Sequence, residues 1–228
     1  MGVIERKERE REQRRQQIMQ AGSDLFLAQG FSNTTMEQIA NQVEISRGTL
    51  YLYFENKDDL IINIIIEAMN VFINLMKENI KPEDNTEKQL QSIGNSYLAF
   101  HDKYRSYFKL MNFMDNEKLH KEVNIQSKQI FEKSEEIWTI IVNILRNGID
   151  AGFIRDDINP YEIAILFWSA SNGVILLMDH MKLEHKENLP PECQEYCTKE
   201  NQQGFWNANY DNLLPMLWGY IGAGIRKN

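Results

Sequence analysis

Apolar positions recur at intervals of three and four residues along most of this chain, the spacing that sets one side of an α-helix against a core. Ile18, Ala21, Leu25, Phe26 and Ala28 mark the first such face, which starts near Gln16. It is predicted to end at Gly30 in a left-handed cap, with Phe31 following as a core anchor. Thr35 with Gln38 three residues on forms a capping-box pattern that opens a short helix at Met36. Ile39, Ala40 and Val43 face inward from it. Glu44 and Ile45 then make a turn, Ser46 caps a second short helix, and Leu50 and Phe54 point to the core. Asn56, with Asp59 at the third position, begins a fourth helix running to about Ile80. The run Ile61–Ile66 alone could pass for a buried strand, but Met69, Phe72, Ile73 and Met76 continue the helical period, and Lys81-Pro82 stops it.

Residues 82–87 are a polar boundary. Thr86 is expected to cap a helix over Glu87 to Lys103, and a short aromatic helix follows with Tyr104, Tyr107, Phe108, Met111, Phe113 and Met114. A long helix over roughly Asn116 to Ala151 is predicted to bury Phe131, Ile137, Trp138, Ile141, Ile144 and Leu145, with Gly152 as its cap. Another begins between Asp157 and Pro160 and covers Tyr161 to about Leu183. The last starts near Trp206 or Asn207 and reaches Ile225. The prediction is an all-α chain of about nine helices.

Composition supports this, since 12 glycines and 5 prolines in 228 residues are few. The formal charge of −8 is unevenly spread. Residues 1–57 carry eight Lys or Arg and eight Asp or Glu, so the acidic excess lies wholly in the remainder. That argues against indiscriminate coating of nucleic acid and leaves a local DNA-facing surface possible. Residues 4–15 alternate in sign and read as a solvated helix held by i,i+4 pairs, able also to order as a basic arm along DNA. The charged N-terminus does not read as a secretory signal. Ile163–Met178, interrupted by Ser169, Ser171 and Asn172, is short for a membrane span. Two cysteines suggest a reducing cytoplasm.

The stretch Thr35 to Lys57, TMEQIANQVEISRGTLYLYFENK, has the two short helices and tight turn of a helix-turn-helix, whose second helix enters the DNA major groove. Arg47 can pair with a guanine edge or a phosphate, Gly48 removes a side chain where backbone meets duplex, and Thr49 offers a hydroxyl and a methyl. The Tyr51 and Tyr53 hydroxyls and Lys57 suit phosphate oxygens. Thr35 and Ser46 complete the candidate set. The pattern T-x-x-x-I-A followed by S-x-G-T-L-Y-x-Y-F-x-x-K-x-x-L resembles the DNA-binding domain of TetR-family transcriptional regulators. It is carried by Thr35, Ile39, Ala40, Ser46, Gly48, Thr49, Leu50, Tyr51, Tyr53, Phe54, Lys57 and Leu60. Val43, Glu44 and Ile45 depart from the usual Ala-Gly-Val. Glycine in the middle of that triplet takes a left-handed conformation that glutamate adopts only at a cost.

The resemblance implies a helix-turn-helix domain in residues 1–57 and a ligand-binding and dimerisation domain in residues 58–228, joined by the helix from 57. It also implies a homodimer on a palindromic double-stranded operator, released by a small-molecule effector. A small apolar or aromatic effector would lie among Phe100, His101, Tyr104, Tyr107, Phe108 and Met111, with Phe131, Trp138, Phe167, Trp168 and Asn172 from later helices. The two final helices carry small residues among large ones, and close helix–helix approach offsets the cost of helical glycine. Ala170, Gly173, Leu177, Leu214, Leu217, Trp218 and Ile221 are therefore the candidate dimer interface. Cys193 and Cys197, with His180 and His185 nearby, do not have a standard zinc spacing and read as ordinary thiols. No His-Glu-x-x-His, phosphate loop or nucleophile elbow occurs, so neither an enzyme nor a cofactor is indicated. The competing reading is a dimeric helical interaction protein whose helix-turn-helix does not read DNA.

Overall fold

Alternating charges at i,i+4 extend the first helix well before its apolar face begins, and Arg6 and Glu10 pair at 3.2 Å on that extension. The computed structural model describes residues 2–113, 128–183 and 210–227. Among the described residues there are nine helices: α1 Val3–Gln29, α2 Met36–Gln42, α3 Arg47–Tyr51, α4 Lys57–Asn79, α5 Thr86–Lys103, α6 Arg105–Phe113, α7 Lys128–Asp150, α8 Pro160–Leu183 and α9 Tyr210–Ile225. The fold is all-α. The long polar segment between the last two helices, with both cysteines and His185, lies outside the described residues. So do the predicted starts of α7 and α9.

The chain divides into two compact units. The first holds residues 1–78 and 96–137, the second residues 79–95 and 138–228. In the first, Ile18, Met19, Phe26, Ile39, Leu50 and Phe54 are buried as the core of a three-helix head. Ala28 is exposed, because the buried side of α1 turns away from it in the last turn. Gly22 lets α1 approach α4 closely, since a Cβ there would stand 3.0 Å from Leu60 Cδ2. Gly30 leaves α1 at φ 84 and ψ 159, so its φ is positive as expected but its ψ is extended, a combination open essentially to glycine alone.

Beyond the head, α4 buries a nearly continuous apolar side from Leu60 to Met76. Phe72 stacks on Phe100 and meets Tyr97 edge-on, both at 5.5 Å, and Phe108 closes the cluster at 5.2 Å from Tyr97. The helix α6 is tied to α1 by Ser106 Oγ donating to Asp24 Oδ1 at 2.7 Å. Tyr107 is buried beside it, and burial followed by the nearby Glu67 charge pushes its hydroxyl up to about 12. Across α4 and α7, Lys77 and Lys133 both donate to Glu136, at 2.6 and 2.9 Å.

In the second unit Asn85, rather than Thr86, caps α5, because its Oδ1 accepts the Lys88 N–H at 3.0 Å while Thr86 is already helical. Ile141, Val142, Ile144 and Leu145 form the buried side of α7. Gly152 ends it at φ 69, as predicted. Asn159 caps α8 by accepting the Tyr161 N–H at 2.9 Å, which leaves Pro160 at the first helical position, where its missing N–H costs nothing. The C-terminal residues clasp the loop after α7. Arg155 N–H donates to Ile225 O and Lys227 N–H to Phe153 O, and Arg226 pairs with Glu87. By length and composition α4 and α8 could each cross a membrane. In α4 that apolarity is spent on the core; in α8 most of it is not.

Candidate nucleic-acid interface

The surface begins with two caps. Thr35 Oγ1 accepts the Gln38 N–H at 3.2 Å while Gln38 Oε1 accepts the Thr35 N–H at 2.8 Å, so both predicted halves of the capping box are made. The turn after α2 is closed by Ile45 N–H donating to Ala40 O at 3.0 Å and Glu44 N–H to Asn41 O at 3.2 Å. Glu44 sits at φ 55. The glutamate therefore takes the left-handed conformation that glycine would supply, and the turn closes at the cost of backbone strain. Ser46 Oγ then accepts the Thr49 N–H at 3.0 Å, which starts α3 where it was expected.

Leu50 is fully buried and sets the orientation of α3. Arg47 is exposed, and its guanidinium lies over the Tyr51 ring at 5.6 Å with Nη2 donating to the Tyr51 hydroxyl at 3.4 Å. This hydrogen bond raises the Arg47 pKa above its usual range. Gly48 is open, since a Cβ there would meet only Ser46 Oγ at 3.8 Å. Thr49 shares a 2.8 Å hydroxyl–hydroxyl contact with Ser46, and Tyr53 is half-buried. Arg47, Gly48 and Tyr51 thus share one exposed surface, with the Thr35 and Ser46 hydroxyls at the helix starts.

Lys57 is placed differently from the sequence reading. Its ammonium donates to Phe31 O at 2.6 Å and Thr34 O at 3.0 Å and sits 4.2 Å over the Phe31 ring. Those acceptors are carbonyls of the bend between α1 and α2, which α2 does not use, so Lys57 braces the head in this structure. Arg14 and Arg15 are also turned inward, toward Val43 O at 3.5 Å and Asn63 Oδ1 at 2.6 Å. Within residues 36–56 Arg47 is then one cation among Glu37, Glu44 and Glu55. The residue missed by sequence reading is Leu52, which is 75% exposed. Its signal was available, because it lies one turn beyond Gly48 on the side away from Leu50.

The candidate effector residues fall into two groups. Phe100, His101, Tyr104 and Phe108 join the aromatic cluster of the first unit, where the His101 ring meets Phe108 edge-on at 4.9 Å and its Nδ1 lies 2.8 Å from Asp102 Oδ1. Tyr107 is buried nearby and Met111 is half-buried. Phe131, expected on a buried face, is 66% exposed, because it lies nearly three turns before Ile141, where the buried side of α7 begins. In the second unit Trp138 meets Trp168 edge-on at 5.9 Å, while Phe167 and Asn172 are half-buried.

The candidate interface residues also separate. Leu214 is fully buried within its own chain. Trp218 is held there too, donating from Nε1 to Ser171 Oγ at 2.9 Å and packing on α5 so closely that a Cβ on Gly94 would come 2.4 Å from its ring. Leu214 is thus core of its own chain, and the half-buried Trp218 is anchored within it. Leu217, Ile221 and Ala170 are half-buried, and Gly173 and Leu177 are exposed. Tyr161, Ile165, Leu166, Leu176, Met216 and Tyr220, not singled out from sequence, are half or more exposed or close to it. Among the described residues, a Cβ added at Gly173, Gly219, Gly222 or Gly224 would meet nothing within 4 Å.

Residues 18–64 match the family model described as "Bacterial regulatory proteins, tetR family". The chain is 28% identical over 146 residues to the fatty acid metabolism regulator protein of Bacillus subtilis strain 168, covering 63% of this chain and 72% of that protein. It is 33% identical over 84 residues to an HTH-type transcriptional regulator of Staphylococcus aureus, covering 37% of this chain and 45% of that protein. The fold is also that of the ketosteroid transcriptional regulator KstR2 of Mycobacterium tuberculosis, with a TM-score of 0.64 at 14% identity over 94% of this chain and 96% of that one.

Proposed function

The chain belongs, by its amino-terminal domain, to the TetR family of bacterial regulatory proteins, and on that premise we propose that it is a ligand-responsive repressor that acts as a homodimer on a palindromic operator in the cytoplasm. One observation carries the reading. The helix α3 directs Leu50 into the head and presents Arg47, Gly48 and Tyr51 outward, a surface made for base edges and phosphates. Glu44 at φ 55 supports it as well, since the turn that orients α3 is kept without glycine. The alternative, a helix-turn-helix that no longer reads DNA, loses that support. The domain division at residue 57 is kept as part of this reading, with α4 as the link.

Dimerisation is supported by the uncovered face of α8 and α9. Leu177 is 48% exposed and Tyr220 72%, and among the described residues a Cβ at any of four glycines there would meet nothing within 4 Å. A second copy related by a twofold axis would cover this face and give the pair two α3 helices, one for each half of a palindrome. An apolar effector is supported by the aromatic residues of α5 and α6. The name of the Bacillus subtilis relative makes fatty acids and their derivatives the first class to titrate. The experiment is release of a protein–duplex complex, using duplex selected from a random-sequence pool, by fatty acids, their thioesters and aromatic acids. Release by one class at a concentration that leaves the dimer intact supports the reading. Unchanged DNA affinity with all of them removes the effector from it.

A further inference from the structure

The side of α3 opposite its core residue is occupied by Gly48 and Leu52. At about 100° of rotation per residue, both fall within about 20° of the direction opposite Leu50. Leu52 continues the helical backbone as the C-cap of α3, with φ −76 and ψ −16, so the rotation holds at its position. At 75% it is the most exposed large apolar side chain among the described residues. Its neighbours on that surface are polar or absent: Arg47 stacked on Tyr51 to one side, and Gly48, with open space around it, one turn back. A surface that meets a duplex backbone-first at Gly48 drives Leu52 deepest into the groove. The apolar group that the major groove offers there is the C5-methyl of thymine.

Resting on the DNA-binding reading above, we propose that Leu52 is a specificity-determining residue that packs on the methyl group of one thymine in each operator half-site. The contact requires a T·A pair at that position and discriminates against C·G, which has no methyl to cover. Arg47, held by Tyr51, is left to a neighbouring base edge or phosphate.

The test uses the full chain and duplexes recovered by selection from a random-sequence pool. Each thymine of a recovered half-site is replaced in turn by deoxyuridine, which removes the methyl and nothing else. Affinities are measured for the unaltered protein and for Leu52→Ala and Leu52→Gln. At one thymine per half-site the unaltered protein should lose about fourfold in affinity, the loss that uncovering one methyl group produces. Both variants should be indifferent to the same replacement. Leu52 is exposed, so both variants should fold, and Leu52→Gln keeps the side-chain length. If all three proteins respond alike at every thymine while binding remains tight, Leu52 reads no methyl and the assignment is overturned with DNA binding intact. If selection recovers no bound sequence, the DNA-binding reading itself fails and this inference falls with it.

Discussion

Replacing Glu44 by glycine should stabilise the amino-terminal domain. Glu44 sits at φ 55 in the turn between α2 and α3, and its side chain is exposed. Holding an L-residue in the left-handed region costs about 1–2 kcal/mol. Glycine relieves that cost but adds about 0.5–1 kcal/mol of unfolded-chain entropy. The midpoints of the two ranges leave about 0.75 kcal/mol in favour of Glu44→Gly, equivalent to a roughly three- to fourfold smaller opening equilibrium. Tryptophan fluorescence is no direct probe of this change, because Trp138, Trp168, Trp206 and Trp218 all follow residue 57 in sequence. Amide hydrogen exchange over residues 36–54 reads it directly. Glu44→Gln separates charge from backbone, since it keeps the strained residue and removes the carboxylate, and it should leave exchange unchanged. Faster exchange in Glu44→Gly, or equal slowing in both variants, would refute the strain argument.

Other outcomes follow from the same geometry. Lys57→Met should lower head stability by about 1–2 kcal/mol through loss of charged hydrogen bonds to Phe31 O and Thr34 O. It should leave the salt dependence of DNA binding unchanged, whereas a slope reduced by about one would make Lys57 a phosphate contact. Lys77 first, then Lys133, holds the Glu136 carboxyl below its usual value of 4.5. This stabilisation is present above that pH and is lost as pH falls through the lowered value. Glu136→Gln should therefore cost roughly 0.5 kcal/mol at pH 7 by urea denaturation, with the gap closing in acid. Gly94→Ala forces a methyl against the Trp218 ring and should destabilise the second unit by about 1–3 kcal/mol, visible as a changed tryptophan spectrum and an earlier transition.

The local signals in the sequence were strong where chemistry is short-range. The Thr35 and Gln38 box, the Ser46 cap, the Gly152 end and the apolar side of α4 each depend on residues a few positions apart, and each is found as read. What was not legible depends on partners distant in sequence. Lys57 carries the same charge whether it meets a phosphate or the carbonyls of Phe31 and Thr34, and only the fold brings those carbonyls to it. Trp218 and Leu214 share a helical spacing with neighbours that remain exposed. The placement of Trp218 follows from Gly94 and Ser171, which lie far back in the chain. Asn85 and Thr86 are both good caps one residue apart, and propensity does not choose between them.

The most direct test of the account is binding of the purified chain, and of Arg47→Ala, to selected duplex at two salt concentrations with stoichiometry determined. Binding should be saturable, by two chains or a multiple of two, and weaken as salt rises, and Arg47→Ala should lose affinity clearly with unchanged thermal stability. Equal affinity of the two proteins for the same duplex would contradict the assignment of α3 as the reading helix. Absence of binding to any selected duplex would contradict DNA recognition altogether.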